Sequence, residues 1–384
     1  MTTAPTPQEI ADRTREFRHL TVAHPMLLAA KDSIMSAIHE APLGSIVMVF
    51  GPTGVGKTTL RNKVQQLLAD QALRLMESDP TCVPFVAVEA AATDNGNFSW
   101  RDHYRRTLLA LSEPMLEHKI QPNWIHMMQD SRAQQILGPR SAAIELRHAL
   151  ESAILHRRPA AILVDEAQHL SRIASGRRLA DQLEVIKSLA NCTHTVHILF
   201  GTYDLLPLRQ LNGQLARRSL DIHFRRYCTE VPQDLRMFKN VVLTFQEHLP
   251  LDEPPDLMAL WDLLYERSVG CVGILKEWLD RALIATLKEG CATMSLRHLE
   301  ATALTASQCE KIAVEAHEGE SQLSSADAVQ SRLRALLGLP DNPGASQGQQ
   351  IPRRITHKQV GRRNPKRDPV GFGQNVRIGV RHAL

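Results

Sequence analysis

Residues 50–60 read FGPTGVGKTTL and continue the apolar run SIVMVF of residues 45–50. Gly51, Gly54 and Gly56 permit a tight, partly left-handed loop with N–H groups turned inward, a nest for phosphate oxygens that side chains at those positions would obstruct. Lys57 adds a point charge with reach to β and γ phosphates, and Thr58 offers a hydroxyl to Mg²⁺. The following TTLRNKVQQLLAD reads as a helix, whose N-terminus favours negative charge. Strand, loop and helix in that order make Gly51, Pro52, Thr53, Gly54, Val55, Gly56, Lys57, Thr58 and Thr59 the candidate cradle for ATP. A Gly-rich turn that binds nothing is the plainer alternative, and the preceding strand weighs against it.

A phosphate loop needs carboxylates from a neighbouring strand. PAAILVDEAQHL, residues 159–170, supplies an apolar run ending in Asp165 and Glu166. A run apolar on both faces suits a central parallel strand covered by helices on each side, and its C-terminal end opens onto the ligand crevice. Asp165 is therefore the candidate Mg²⁺ ligand beside Thr58, and Glu166 the candidate base that orients the attacking water. The competing reading is an acidic pair that caps the next helix.

A chain of 384 residues, 43% hydrophobic and 22% charged, can bury a large core and should hold two or three domains. The N-terminus MTTAPTPQEIADRTREF lacks the basic-then-apolar pattern of a secretory signal, and no apolar stretch approaches the ~20 residues of a membrane span. The six cysteines fall in no C-x-x-C or metal-ligand spacing and read as reduced packing residues, which points to the cytoplasm. Aromatic content of 4% argues against stacking on single-stranded bases as the main activity.

Charge is unevenly distributed. Residues 351–384 carry nine Lys/Arg and one acid, which leaves 36 basic against 40 acidic residues in the rest of the chain. The stretch IPRRITHKQVGRRNPKRDP, rich in Pro, Gly and basic residues with little to bury, reads as a disordered interaction tail. Strands are expected at 45–50, 83–89, 160–165, 196–200 and 220–224 with helices between them, and 252–316 as helical throughout. The expected organisation is an N-terminal helical segment (1–44), a parallel five-stranded α/β nucleotide-binding core (45–245), a small helical lid (246–316), a linker with a short helix at 328–337 (317–350) and the basic tail (351–384).

The blocks FGPTGVGKTT, ILVDEAQHL, DQLEVIKSLAN, HILFGTYDLLPL and QLARRSLDIHFRRY, in that order and spacing, resemble the AAA+ ATPases of the TniB/TnsC type, regulators of bacterial transposition. The resemblance spans roughly residues 10–310 and excludes the tail. It implies an AAA+ fold, ATP-driven assembly into homo-oligomeric rings or helical filaments on duplex DNA, and contacts with transposase subunits and a TniQ-like target selector, in the bacterial cytoplasm and with no membrane partner. It implies a sensor-1 role for Thr202, where many AAA+ proteins use Asn. It also implies an arginine finger at Arg217 or Arg218, which the residues do not distinguish. A guanidinium supplied by a neighbouring subunit stabilises transition-state charge and links hydrolysis to assembly. Lys276 in GCVGILKEWLDRAL falls near the sensor-2 position, usually Arg.

Two basic clusters are the candidate DNA contacts, on the pore side that the resemblance implies. Arg101, Arg105 and Arg106 follow one helical turn in NFSWRDHYRRTLLALSEP, and Arg172, Arg177 and Arg178 surround a Gly turn in HLSRIASGRRLADQ. Such groups hold phosphates without reading sequence. A replication-type helicase-loader or initiator ATPase on the same fold, and a DNA-independent nucleotide-switch scaffold, are the rival functions.

Overall fold

A computed structural model describes residues 6–91, 97–114, 139–172, 179–210 and 219–324, together with five positions between 333 and 339. Two helices precede the sheet. Helix α1 (Pro7–His19) starts at a capping box in which Thr6 and Glu9 satisfy each other's backbone N–H groups, with Pro7 in the first turn where its missing donor costs nothing. Helix α2 (Pro25–Glu40) likewise starts on a proline.

The described core then runs β1 (Ile46–Phe50), α3 (Lys57–Ser78), β2 (Val86–Glu89), α4 (Trp100–Ala110), α5 (Pro139–Arg157), β3 (Ala161–Asp165), α6 (Leu179–Thr193), β4 (Val196–Gly201), α7 (Leu206–Gln210) and β5 (Ser219–His223). All strand pairs are parallel and their order is β2-β3-β4-β1-β5. The five strands are those expected, each within a few residues of the expected bounds. Every residue of β1, β3 and β4 is buried, as central strands covered on both faces require. Alternation along β1 sends Ile46, Met48 and Phe50 into one core with α4, α5 and α6, and Val47 and Val49 into another with α2 and α3.

The strand order dictates where a ligand sits. The chain leaves β1 for the far edge at β2, returns through β3 to β4, and crosses β1 again to reach β5. The reversal falls between β1 and β4, where loops diverge and open a crevice at the carboxyl ends of the strands.

Beyond the sheet come α8 (Pro232–Glu247), α9 (Trp261–Ser268), α10 (Val272–Lys288), α11 (Leu296–Thr302) and α12 (Ala306–Ser324). The expectation that 252–316 is helical throughout is corrected. Val269, at a φ of 55°, and Gly270, at 71°, turn the chain between α9 and α10, and residues 289–295 and 303–305 are also non-helical. A third core gathers Phe238, Val242 and Phe245 of α8 with Leu264, Leu275, Leu279 and Leu299 around Trp278. The Trp278 indole donates to the Leu299 carbonyl at 2.9 Å. Phe17 of α1 is part of this helical core, whereas Ile34 of α2 packs on the sheet, so the segment before β1 ties lid to core.

The basic tail from 351 and most of the expected helix at 328–337 lie outside the described residues, as do Arg177, Arg178, Arg217 and Arg218. All six cysteines are free. Among the described residues no helix is long and apolar enough to cross a membrane.

Candidate functional site

The loop from Gly51 to Gly56 follows β1 directly, and Gly56 caps α3 at a φ of 109°. Gly54 is also left-handed, at 75°. Gly51 is not, in keeping with a loop that is only partly left-handed. Its requirement is a close approach, since a Cβ there would stand 2.0 Å from the Phe224 carbonyl oxygen. The lid descends on the same loop. The Ile274 amide donates to the Gly54 carbonyl at 3.1 Å, and a Cβ on Gly273 would lie 2.4 Å from that oxygen. The first turn of α10 thus rests on the phosphate loop, with the Ile274 side chain packed where a Cβ on Gly54 would stand.

Lys57 is buried, and its Nζ donates to the carbonyls of Gly51 at 3.0 Å and Pro52 at 2.9 Å. Burial pulls its pKa down, and the negative groups Glu166, Asp165 and Glu315 pull against it. Thr58 donates from its hydroxyl to Oδ2 of Asp165 at 3.3 Å. Thr58 and Asp165 therefore meet, and their paired hard oxygens suit Mg²⁺. Sequence reading missed Arg61, whose Nη1 lies 2.7 Å from the same Oδ2. Its position three residues after Thr58, one helical turn along the same face, was the available signal.

Glu166 stands in the left-handed region, at a φ of 51°, at the start of the 3-10 turn Ala167–Ser171. Its side chain makes no cap hydrogen bond to that turn, which disposes of the capping alternative. Gln168 donates from Nε2 to Oε2 of Glu166 at 2.6 Å, and its Oε1 accepts the Thr202 N–H at 3.2 Å. Thr202 follows β4, with its hydroxyl accepting the Asp204 N–H at 3.4 Å.

Lys57, Thr58, Glu166, Thr202, Gly273 and Lys276 all line one cavity of about 480 Å³. Lys276, on α10, donates to the carbonyls of Arg18, at 2.8 Å, and Leu20, fastening the end of α1 over the site. Arg18 in turn pairs with Asp280 at 2.9 Å. Next to it lies a narrower pocket of about 40 Å³ walled by Val22, His24, Val55, Phe224 and Phe245. The His24 ring lies 6.3 Å from that of Phe224 in stacked orientation, and Nδ1 is 3.0 Å from the Tyr227 hydroxyl. Burial lowers the His24 pKa to about 4, so the ring is uncharged at neutral pH. Nothing in the motifs pointed to residues 20–24, because their place in the site comes from the docking of α1 on the lid.

A carboxyl also approaches from the chain's last described helix. Glu315 of α12 is pushed up by burial and by Asp204, with Lys57 and a hydrogen bond to Thr53 opposing. Of the candidate DNA contacts, Arg101 and Arg172 are exposed. The Phe98 N–H donates to the Arg172 carbonyl at 2.8 Å, so the two clusters arise from adjoining segments. Arg106 is tied to Asp102 at 2.6 Å. A second grouping of metal-type ligands, Glu289, Cys291 and His298, lies in the lid. There the Ser295 N–H donates to His298 Nδ1 at 3.0 Å, which leaves the ring proton on Nε2 facing Glu289 and disfavours a metal.

A parallel sheet in this order, a glycine loop after β1, an acidic pair after β3, a polar residue after β4 and a helical lid on the loop define an AAA+ P-loop NTPase fold. Residues 43–208 match the family profile described as an AAA domain. Among solved structures, the chain is similar to the Aeropyrum pernix ORC2 protein in its ADP form, with a TM-score of 0.50 and 17% identity over 75% of this chain and 71% of that one. The same protein with ADPNP and ADP gives 0.50 and 16% over 76% and 72%. At these identities the likeness is one of fold. No curated protein matches the sequence. The narrower TniB/TnsC resemblance rests on the quoted sequence blocks alone.

Proposed function

We propose that the protein is an ATP-hydrolysing AAA+ switch that oligomerises on duplex DNA in its ATP form, of the replication initiator or loader type. The observation that carries the ATPase reading is the convergence of Lys57, Thr58 and Glu166, from two separate strand ends, on one cavity that Gly273 and Lys276 of the lid also line, with Asp165 accepting from the Thr58 hydroxyl. In this reading the loop amides and Lys57 bind the phosphates, and the base packs from the larger cavity against the apolar side chains of Val22, His24 and Phe224. Thr58 and Asp165 are the residues that would hold Mg²⁺, which would supply charge neutralisation to the bound phosphates. Glu166 orients a water and accepts its proton as that water attacks the γ phosphorus and the bond to the ADP oxygen breaks. Thr202 senses the γ phosphate, and Arg217 or Arg218 of a neighbouring copy stabilises the transition state.

The fold likeness to ORC2 supports the initiator or loader reading over transposition. The transposition reading, with transposase and a TniQ-like protein as partners, keeps the support of the GTYDLL and QLARRS blocks. For the ATPase itself, Lys57→Ala is expected to abolish ATP binding in calorimetry, while Glu166→Gln binds ATP as tightly as the wild type and turns over at least ~100-fold more slowly. Unchanged affinity in the Lys57 variant sinks the assignment. ATP-dependent oligomers on duplex DNA, seen by electron microscopy with a non-hydrolysable analogue and absent with ADP, test the assembly.

A further inference from the structure

We propose that Gln168 is a positioning residue that holds the Glu166 carboxylate in place and couples it to the end of β4 at Thr202. This rests on the ATPase reading and names a device within it.

Three geometric facts meet at one amide. The Thr202 N–H can only donate, so the group 3.2 Å from it must be the amide oxygen of Gln168. The orientation of the side chain follows, and its NH₂ is thereby the group 2.6 Å from Oε2 of Glu166. The third fact is at Gly201, where a Cβ would stand 2.7 Å from the Gln168 Oε1. The last residue of β4 leaves room for the bridge, and a side chain would expel it.

A bridge of this kind suits Glu166 because the turn it opens offers its side chain no cap bond. The residue sits at a φ of 51°, a conformation of low population for a residue with a Cβ. The donor from Gln168 occupies Oε2, and among the described residues no hydrogen bond holds the other carboxylate oxygen, which can accept a proton from water. Because the opposite end of the same amide is held by the backbone of Thr202, a shift at Thr202 moves the donor and hence the carboxylate. Thr202 and Glu166 come from the ends of different strands, and Gln168 is the side chain that touches both.

The test uses the full chain and separates orientation from packing. Gln168→Ala removes both bonds. Gln168→Glu keeps the shape and the acceptor for Thr202 but turns the donor facing Glu166 into an acceptor. Both variants are expected to lower kcat on the order of 10- to 100-fold, with ATP affinity by calorimetry within twofold of wild type. Thermal melting of Gln168→Glu is expected to stay close to wild type. Normal turnover by Gln168→Glu would reduce Gln168 to a spacer and overturn the proposal, as would faster turnover by Gln168→Ala, which makes the bond a restraint. Wild-type turnover with Glu166→Gln inactive isolates a failure at Gln168 from a failure of the ATPase reading; a wild type that binds ATP without hydrolysing it removes both.

Discussion

At the scale of the residue, the site is decided by how few groups can stand beside Asp165. Its carboxylate is buried, and it is held by the Thr58 hydroxyl, by the Glu166 N–H at 3.0 Å and by Arg61 at 2.7 Å. Arg61 supplies the positive charge that a buried carboxylate needs. Removing one partner of a mostly buried pair leaves an uncompensated charge, at a cost of about 3 kcal/mol. Arg61→Ala is therefore expected to lower the melting temperature of the nucleotide-free protein, and Mg²⁺ with ATP to close most of that gap by giving Asp165 another cation. Melting curves with and without the pair of ligands check this; an equal deficit in both conditions would assign Arg61 to packing. The contrast with Lys57 shows what sequence can convey. Lys57, Thr58 and the glycines were legible because a phosphate nest is a local object, made by consecutive residues. Arg61 and Gln168 were not, since each acquires its meaning from an atom brought by another strand.

At the scale of the element, α12 is the piece whose role the sequence hid. Its helical character was legible to about residue 316, whereas the helix continues to Ser324, and its contacts explain why. Near its start, Cys309 faces the Arg267 carbonyl of the lid. Towards its end, Glu320 pairs with Arg226 at 3.0 Å and Leu323 packs on the sheet core. Between these anchors Glu315 lies near Lys57 and Thr53 of the loop. The helix thus straps the lid to the strand ends, a geometry set by residues from 42 positions away, at Arg267, to 262 away, at Thr53. Gly319 is where the strap meets the segment after β4, and a Cβ there would stand 2.1 Å from the Tyr203 ring. Gly→Ala inside a helix ordinarily stabilises by up to ~1 kcal/mol. Here the clash should reverse the sign: Gly319→Ala is expected to destabilise the protein and to speed amide exchange along 315–324 more than elsewhere. A stabilised variant with α12 protection unchanged would show that Tyr203 yields and that the strap is not tight.

At the scale of the whole molecule, the proposed function raises the question of which part would hold DNA. The five parallel strands were legible because apolar runs encode them directly, whereas their order, β2-β3-β4-β1-β5, emerges only from the fold. The DNA surface was not legible either, because it depends on exposed charges whose value is set by neighbours, as Arg106, paired with Asp102, shows. The tail from residue 351 bears a net charge of +8, against −4 for the rest. On charge alone it should dominate, since each neutralised phosphate releases counterions and basic segments bind duplex without specificity. Nucleotide control argues otherwise. Arg101 and Arg172 lie on segments joined by the Phe98–Arg172 backbone bond, and Arg172 ends the turn that begins at Glu166, so a change at Glu166 reaches them directly. Assembly in the ATP form would multiply these few arginines by the number of copies around the duplex. A chain ending at Ala345 is thus expected to keep ATP-dependent DNA binding and to lose recruitment of its protein partner. Its salt dependence discriminates: if the tail made most of eight phosphate contacts, log affinity against log salt would flatten by roughly seven on its removal, whereas core binding predicts a change below about two. Filter binding across a salt series, with ATP and with ADP, measures both quantities, and loss of most affinity together with the steep slope would transfer the DNA site to the tail.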